Sequence, residues 1–285
     1  MVEDRDPEVP SLIASLRHRA GRATVAGITG PPGSGKSTLC DQLIGHWRGR
    51  GERVGVLAVD PSSPFSGGAV LGDRVRMQRH AGDPGVFIRS MASRGHLGGL
   101  AASTREALRL LDAAGWDRCL LETVGVGQSE LEVMRAADTT IVVLTPAAGD
   151  AVQLMKAGIL EIADIFVVNK AEQPGASRVA RELRELVHQT RWSSPWAPPV
   201  LQVVAVRGEG IDELVTAIDN HHDAVIASGE LRSRRARRLR AEVEAIVVER
   251  AGERARRALT DGTLELDDEG ELSAVDPYSL ADRIS

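Results

Sequence analysis

The run Gly30-Pro31-Pro32-Gly33-Ser34-Gly35-Lys36-Ser37 has the spacing G-x-x-x-x-G-K-[ST], and Thr38 follows it. These residue types at this spacing suit one chemistry, the capture of a chain of phosphates. Glycines let backbone amides curl round phosphate oxygens, and a helix starting at the end of the run adds positive potential. Lys36 reaches the outer phosphates, and the Ser37 hydroxyl is placed to ligate Mg²⁺. An ordinary glycine-rich turn would share the glycines, but it would not need Lys-Ser-Thr in register.

Acidic residues recur where apolar runs end. Asp60 closes Val54–Asp60 and opens Asp-Pro-Ser-Ser, while Glu122 opens Glu-Thr-Val-Gly125-Val-Gly127-Gln128. A carboxylate at such an end can hold Mg²⁺ through water, and the glycines permit movement near the last phosphate. Asp73 follows a glycine-containing tract, residues 66–72, and is expected to enter the site once triphosphate and Mg²⁺ order that loop. Lys36, Asp73 and Glu122 are the candidate catalytic residues. Ser37, Asp60, Asp73 and Glu122 are the candidate metal ligands. Arg94, in a loop entering a helix, faces either a phosphate or a carboxylate.

Two further segments address the base. Asn169-Lys170-Ala171-Glu172 ends an apolar strand and resembles the Asn-Lys-x-Asp motif with which GTPases read guanine. The carboxylate there accepts from the ring N–H and the amino group, donors that adenine does not supply. Here Glu172 is one methylene longer than Asp. Val204-Ala205-Val206 follows another strand, where backbone amides can contact a base. Gly30 to Thr38, Asn169, Lys170, Glu172 and Val204 to Val206 are therefore the candidate nucleotide-binding residues.

These residues need a scaffold of strands ending at one edge. Apolar β-branched runs occur at 23–29, Val54–Asp60, Val86–Arg89, Arg118–Glu122, Thr140–Thr145, Ile165–Asn169 and Val200–Val206. Each reads as a strand buried on both faces. Helical stretches fall at 37–50, 98–114, 150–162, 175–190 and 210–226. The alternation predicts an α/β fold: a doubly wound, mostly parallel sheet of the P-loop nucleoside-triphosphatase type. From about Gly229 the chain turns Arg- and Glu-rich, with Leu231, Leu239, Val243, Ile246 and Leu259 as a sparse apolar stripe. Residues 1–226 read as the catalytic domain, and 227–285 as a helical arm that dimerises through this stripe.

Composition narrows the possibilities. Of 285 residues, 42% are hydrophobic but only 3% aromatic, so the core must be built from Val, Ile, Leu and Ala. A net charge of −5 gives no global attraction to nucleic acid or anionic membrane. The arginines 232, 234, 235, 237, 238 and 240 stand among glutamates and read as a solvated helical face. Cys40 and Cys119 form no CxxC pair, which argues against a disulfide framework or zinc site and for the cytoplasm. The acidic first residues are not a signal peptide, and no apolar stretch nears the ~20 residues of a membrane helix. His221-His222 is expected to face solvent. Trp192, Trp196 and Pro198-Pro199 are expected to pack a loop.

Taken together, GPPGSGKST, DPSS, GGAVLGDRVRM, SRGHLGG, ETVGVGQSE, VQLMKAGILEIADIFVVNKA and GEGIDEL resemble the MeaB/ArgK family over almost the whole chain. Members are GTPase chaperones associated with methylmalonyl-CoA mutase, of the SIMIBI class of G proteins. The resemblance implies GTP/GDP as bound nucleotide, Mg²⁺, a homodimer and an adenosylcobalamin-dependent acyl-CoA mutase as partner. It implies roles in Mg²⁺ binding and hydrolysis for Lys36, Asp60, Asp73 and Glu122, and a further switch at residues 149–156. The chain departs from it at Glu172, at Ala151, where many members have Glu, and in a short segment before the first strand. A nickel-insertion GTPase would share the fold, but a His-rich tract or Cys/His cluster would be expected. A small-molecule kinase would need an acceptor pocket and an arginine-bearing lid.

Overall fold

Seven aliphatic, β-branched runs lie side by side as parallel strands in the computed structural model of the chain. It describes residues 2, 6–16, 18, 19, 21–60, 78–80, 82–92, 99–123, 125, 128–146, 162–189, 196–260 and 278. The strands are β1 (Thr24–Thr29), β2 (Val54–Asp60), β3 (Val86–Ala92), β4 (Arg118–Thr123), β5 (Thr139–Leu144), β6 (Ile165–Asn169) and β7 (Val200–Val203). Their order is β3-β2-β4-β1-β5-β6-β7, with every neighbouring pair parallel. The described α-helices are α1 (Val9–Leu16), α2 (Lys36–Gly49), α3 (Gly99–Ala113), α4 (Gln128–Met134), α5 (Ala176–Gln189), α6 (Ile211–Ala227) and α7 (Glu230–Thr260). All seven expected strands form, most within a residue or two of the expected bounds.

Alternation along each strand sorts the core into two layers. Ile28, Val54, Val56, Leu120, Ile141, Val143, Ile165 and Val167 pack with Leu39, Leu43 and Trp47 of α2 and Leu214 and Ile218 of α6. Their immediate neighbours turn the other way. Leu57, Val59, Cys119 and Leu121 meet Leu108 and Leu111 of α3 and Met134 of α4. Val142, Leu144, Phe166 and Val168 meet Ala176, Val179, Ala180 and Leu183 of α5. Cys40 and Cys119 thus sit in different layers, each buried and neither in a disulfide. Burial, and secondarily the charges of Asp112 and Asp138, pushes the Cys119 thiol up to about 12.

Aspartates close the edge where the strands begin. The Asp112 carboxylate accepts from the backbone N–H groups of Gly21, Arg22 and Ala23. Asp117 accepts from Arg53, Asp138 from Val25 and Asp164 from Thr140, at 2.8, 3.3 and 2.8 Å. Each satisfies a donor just before or within the first residues of a strand.

The same edge corrects one expectation. His221 does not face solvent: it is fully buried beneath the sheet edge. Its Nδ1 lies 2.8 Å from Thr139 Oγ1, and its Nε2 lies 3.1 Å from Asp164 Oδ1. Trp196 packs edge-on against the imidazole at 5.0 Å and donates from Nε1 to the Asp164 carbonyl at 2.8 Å. Trp196 therefore packs its loop as expected, while Trp192 lies outside the described residues. His222 is partly buried, 3.4 Å from Thr24 Oγ1. The pair sits on the inward side of α6, where Val225 and Ile218 are also buried.

Three elements differ from the sequence reading. Helices α1 and α4 were not anticipated, the first too short for a clear period and the second hidden in a glycine-rich motif. The last strand ends at Val203, because Gly208 and Gly210 at φ 73° and 80° turn the chain back. Val204 then pairs antiparallel with Glu209, and Ala205–Arg207 forms a 3-10 turn. The expected helix over 150–162 lies outside the described residues apart from Ile162.

The chain divides into two compact units, Met1–Leu231 and Arg232–Ser285. Within α7, Leu239, Val243, Ile246, Val247 and Val248 are exposed, so its apolar stripe is open along the helix. Among the described residues no helix is long and apolar enough to cross a membrane.

Replacing His221 with Ala leaves the Thr139 hydroxyl and the Asp164 carboxylate short of a buried partner. Urea denaturation is expected to show a loss of about 2–3 kcal/mol. A denaturation midpoint equal to that of the wild type would show that this contact does not stabilise the edge.

Candidate functional site

The opposite edge, where the strands end, is built from backbone turns. After Thr29 the chain runs through Gly30, Gly33 and Gly35 at φ 151°, 77° and 88°, the region where side chains are strained. A Cβ on Gly30 would lie 2.1 Å from the Val143 carbonyl oxygen, and one on Gly35 would lie 2.3 Å from Asn169 Nδ2. Both glycines are therefore required by close approach as well as by backbone angle. Gly35 also begins α2 without a side-chain cap, so no polar side chain closes off the helix start.

The predicted phosphate residues gather here. Lys36 is buried, and its Nζ donates to the carbonyls of Gly30 and Pro31 at 2.8 and 3.0 Å. Those bonds hold the ammonium across the mouth of the loop. Ser34 is also buried, and its hydroxyl finds no hydrogen-bond partner among the described residues. A phosphate oxygen would satisfy it, so the loop fits the group that its sequence implies. Pro32 and Gly33 are exposed at the rim, and Thr38 lies in the first turn of α2, half-buried.

Ser37 donates from Oγ to Glu122 Oε1 at 2.7 Å, both side chains being buried. The register explains the meeting: Glu122 on β4 is level with Ile28 on β1 and Ala58 on β2. A hydroxyl and a carboxylate in contact beside a phosphate loop are the hard oxygen donors that Mg²⁺ takes. Asp60 ends β2 opposite Ala92, just beyond the level of Glu122. The Asp60 side chain, Asp73, Arg94, the tract 66–72 and the segment 149–156 lie outside the described residues.

Sequence reading missed two hydroxyls. Thr29 and Thr123 end adjacent strands, and both donate to the Gly125 carbonyl, at 2.9 and 3.2 Å. The two bonds hold the Gly125 carbonyl at the ends of β1 and β4. Threonine as the last residue of both β1 and β4 was the available signal.

Asn169 joins the phosphate loop to the turn after β7. Its Nδ2 donates to the Ser34 carbonyl at 2.8 Å, and its Oδ1 accepts from the Ala205 backbone N–H at 3.1 Å. Lys170 follows at φ 58°, a turn closed by the Gln173 N–H donating to the Lys170 carbonyl. The Ala171 N–H donates to Val203, which fastens the Asn169–Glu172 turn to the end of β7 at 3.1 Å. Glu172 and Val206 are both exposed, Val206 to 73%. Beside them Arg207 forms a two-pronged ion pair with Glu209, at 2.7 and 3.1 Å. Glu209 raises the Arg207 guanidinium from its ordinary value, and Arg207 holds the Glu209 carboxyl below its own.

Comparison with known proteins decides the family. The model for "Methylmalonyl Co-A mutase-associated GTPase MeaB" matches residues 1–260. The chain belongs to the MeaB family. A Pyrococcus abyssi protein is 46% identical to it over 288 residues, covering 100% of this chain and 89% of the relative. The GTPase ArgK of Escherichia coli K12 is 41% identical over 239 residues, covering 81% of this chain and 72% of its own length. Among solved structures, one titled LAO/AO transport system kinase is similar with a TM-score of 0.69 and 28% identity. That match covers 96% of this chain and 84% of the other. The resemblance drawn from the motifs therefore holds, and the α/β P-loop fold with it. This MeaB-family chain is a GTPase that takes a guanine nucleotide.

Proposed function

We propose that this protein is a Mg²⁺-dependent GTP switch acting on an adenosylcobalamin-dependent acyl-CoA mutase such as methylmalonyl-CoA mutase. The observation that carries the chemistry is the meeting of Lys36, the Ser37–Glu122 pair and Asn169 at one strand edge. The mutase enters from the family's description alone.

Hydrolysis requires water to attack the last phosphorus as its bond to the bridging oxygen breaks, leaving GDP and phosphate. Little covalent chemistry falls to the protein, so its residues position and neutralise. The non-proline residues of Gly30 to Thr38 wrap the phosphates with backbone N–H groups and the start of α2. Lys36 exchanges its bonds to Gly30 and Pro31 for phosphate oxygens, bringing a full charge to the group that leaves. Ser37 and Glu122 would hold Mg²⁺, with Asp60 and Asp73 contributing from their segments. Bound there, the ion neutralises charge that builds on the phosphate oxygens. Asn169 and Lys170 shape the base pocket, Val204 to Val206 border it, and Glu172 accepts from the guanine ring N–H and amino group.

Residues 1–226 form the catalytic domain in this reading, and 227–285 the arm. A second copy covers the exposed stripe of Leu239, Val243 and Ile246, giving a homodimer that works in the cytoplasm. Sedimentation of the full chain well above micromolar concentration is expected to give a dimer, and a monomer there removes this part of the proposal.

GTP hydrolysis by the wild type, Lys36→Ala and Glu122→Ala, with and without purified methylmalonyl-CoA mutase, tests the whole reading. Both substitutions are expected to slow turnover by about a hundredfold or more. Lys36→Ala also weakens nucleotide binding, whereas Glu122→Ala mainly impairs turnover. The wild-type rate should be slow alone and rise with the mutase. Wild-type rates for both variants at saturating GTP would refute the site. A mutase that neither binds nor changes the rate would refute the partner.

A further inference from the structure

Thr29 and Thr123 are fully buried at the last positions of adjacent strands, where valine has nearly the same shape and the same β preference. A buried hydroxyl is costly unless it is bonded, so each of these must serve a partner. That partner is Gly125. Thr29 donates to its carbonyl at 2.9 Å, which leaves the Thr29 oxygen able to accept. Thr123 Oγ1 lies 3.1 Å from that oxygen and 3.2 Å from the carbonyl, so its single proton is shared between them. Two hydroxyls and one backbone oxygen close a triangle.

Strand register gives the triangle its place in the site. Ile28 and Glu122 are level, and Ile28 packs in the α2 layer, so Glu122 turns to Ser37 on that face. One residue on, Thr29 and Thr123 turn to the other face. Their level neighbours, Val142 beside Thr29 and Val59 beside Thr123, belong to the opposite layers of the core. The chain thus leaves the Ser37–Glu122 pair, is caught at Gly125 by the hydroxyls, and begins α4 at Gln128. Thr29 also precedes Gly30, whose carbonyl accepts from Lys36 Nζ at 2.8 Å. Gly125 is therefore tied to the residue that enters the phosphate loop, at the end where the Lys36 ammonium is held.

We propose that Thr29 and Thr123 are positioning residues that hold Gly125 against the last phosphate of a bound triphosphate, and so set how strongly the site distinguishes GTP from GDP. Neither hydroxyl touches a reacting atom; both act through the Gly125 backbone. The inference deepens the GTP-switch reading and rests on Lys36 receiving the outer phosphates, as proposed above. Without the hydroxyls, the Gly125 backbone must be ordered as the triphosphate binds, and that ordering opposes binding. GDP lacks the last phosphate and escapes this penalty. Hydroxyls that only seal the strand ends would affect both nucleotides alike.

Equilibrium binding of GDP and of the non-hydrolysable β,γ-imido analogue of GTP, both with Mg²⁺, should be measured on the full chain. The variants are Thr29→Val, Thr29→Ser, Thr123→Val and Lys36→Ala, with circular dichroism as the check on folding. Thr29→Val is expected to lower analogue affinity relative to GDP by about three- to tenfold, with GDP affinity within about twofold of wild type. Thr123→Val should lower the ratio less, because Thr29 still holds the carbonyl. Thr29→Ser keeps the hydroxyl and should recover most of the ratio. Should Thr29→Val not fold, Thr123→Val makes the same comparison. Equal weakening of both nucleotides, or an unchanged ratio, overturns the positioning role. A Lys36→Ala variant that binds both nucleotides as tightly as wild type would instead remove the phosphate site on which the inference rests.

Discussion

A single buried carboxamide sets the geometry of this site. Asn169 donates to the carbonyl of Ser34 and accepts from the N–H of Ala205, so one side chain fixes the phosphate loop against the turn after β7. The amide is rigid and nearly inaccessible, and both of its partners are backbone atoms of segments that would otherwise drift independently. Gly35 must lack a side chain for this amide to fit, since a Cβ there would collide with Nδ2. The spacing between the Gly30–Thr38 loop and the turn after β7 is therefore set by this one side chain.

The sheet makes that arrangement possible by treating its two edges differently. Where strands begin, Asp112, Asp117, Asp138 and Asp164 accept from backbone N–H groups, and His221 and Trp196 seal the Asp164 corner. Where strands end, the chain presents Gly30, Gly35, Lys36, Ser37, Glu122 and Asn169, groups able to receive an anion and a divalent cation. In a parallel sheet the crevice forms where the connections diverge to either side. Here β1 lies between β4 and β5, and the phosphate loop follows β1.

Much of this was legible in the sequence because its signals are local. The strands appear as short continuous apolar runs, since both faces are covered, and the phosphate loop has a fixed spacing with its own physical logic. What escaped was nonlocal or ambiguous. His221 was read as solvated because two adjacent histidines on a helix resemble a polar face, and only the sheet edge opposite supplies Thr139 and Asp164. Helix α4 begins inside the motif that reads as a glycine-rich loop. The hold on Gly125 depends on Thr29 and Thr123 being neighbours, a pairing that strand order decides. Val204 to Val206 were read as the end of a strand because all three are apolar and the two valines are β-branched. Gly208 and Gly210 overrule that preference by turning the chain, which brings Arg207 beside Glu209.

The tie made by Asn169 is open to one direct measurement, calorimetric titration of GDP into the wild type and Asn169→Ala. Removing the carboxamide leaves the Ser34 carbonyl and the Ala205 N–H without it and uncouples the two loops. GDP binding is expected to weaken by about ten- to a hundredfold, with the circular dichroism of the fold unchanged. GDP bound by Asn169→Ala as tightly as by the wild type would contradict a site whose geometry is set by this side chain.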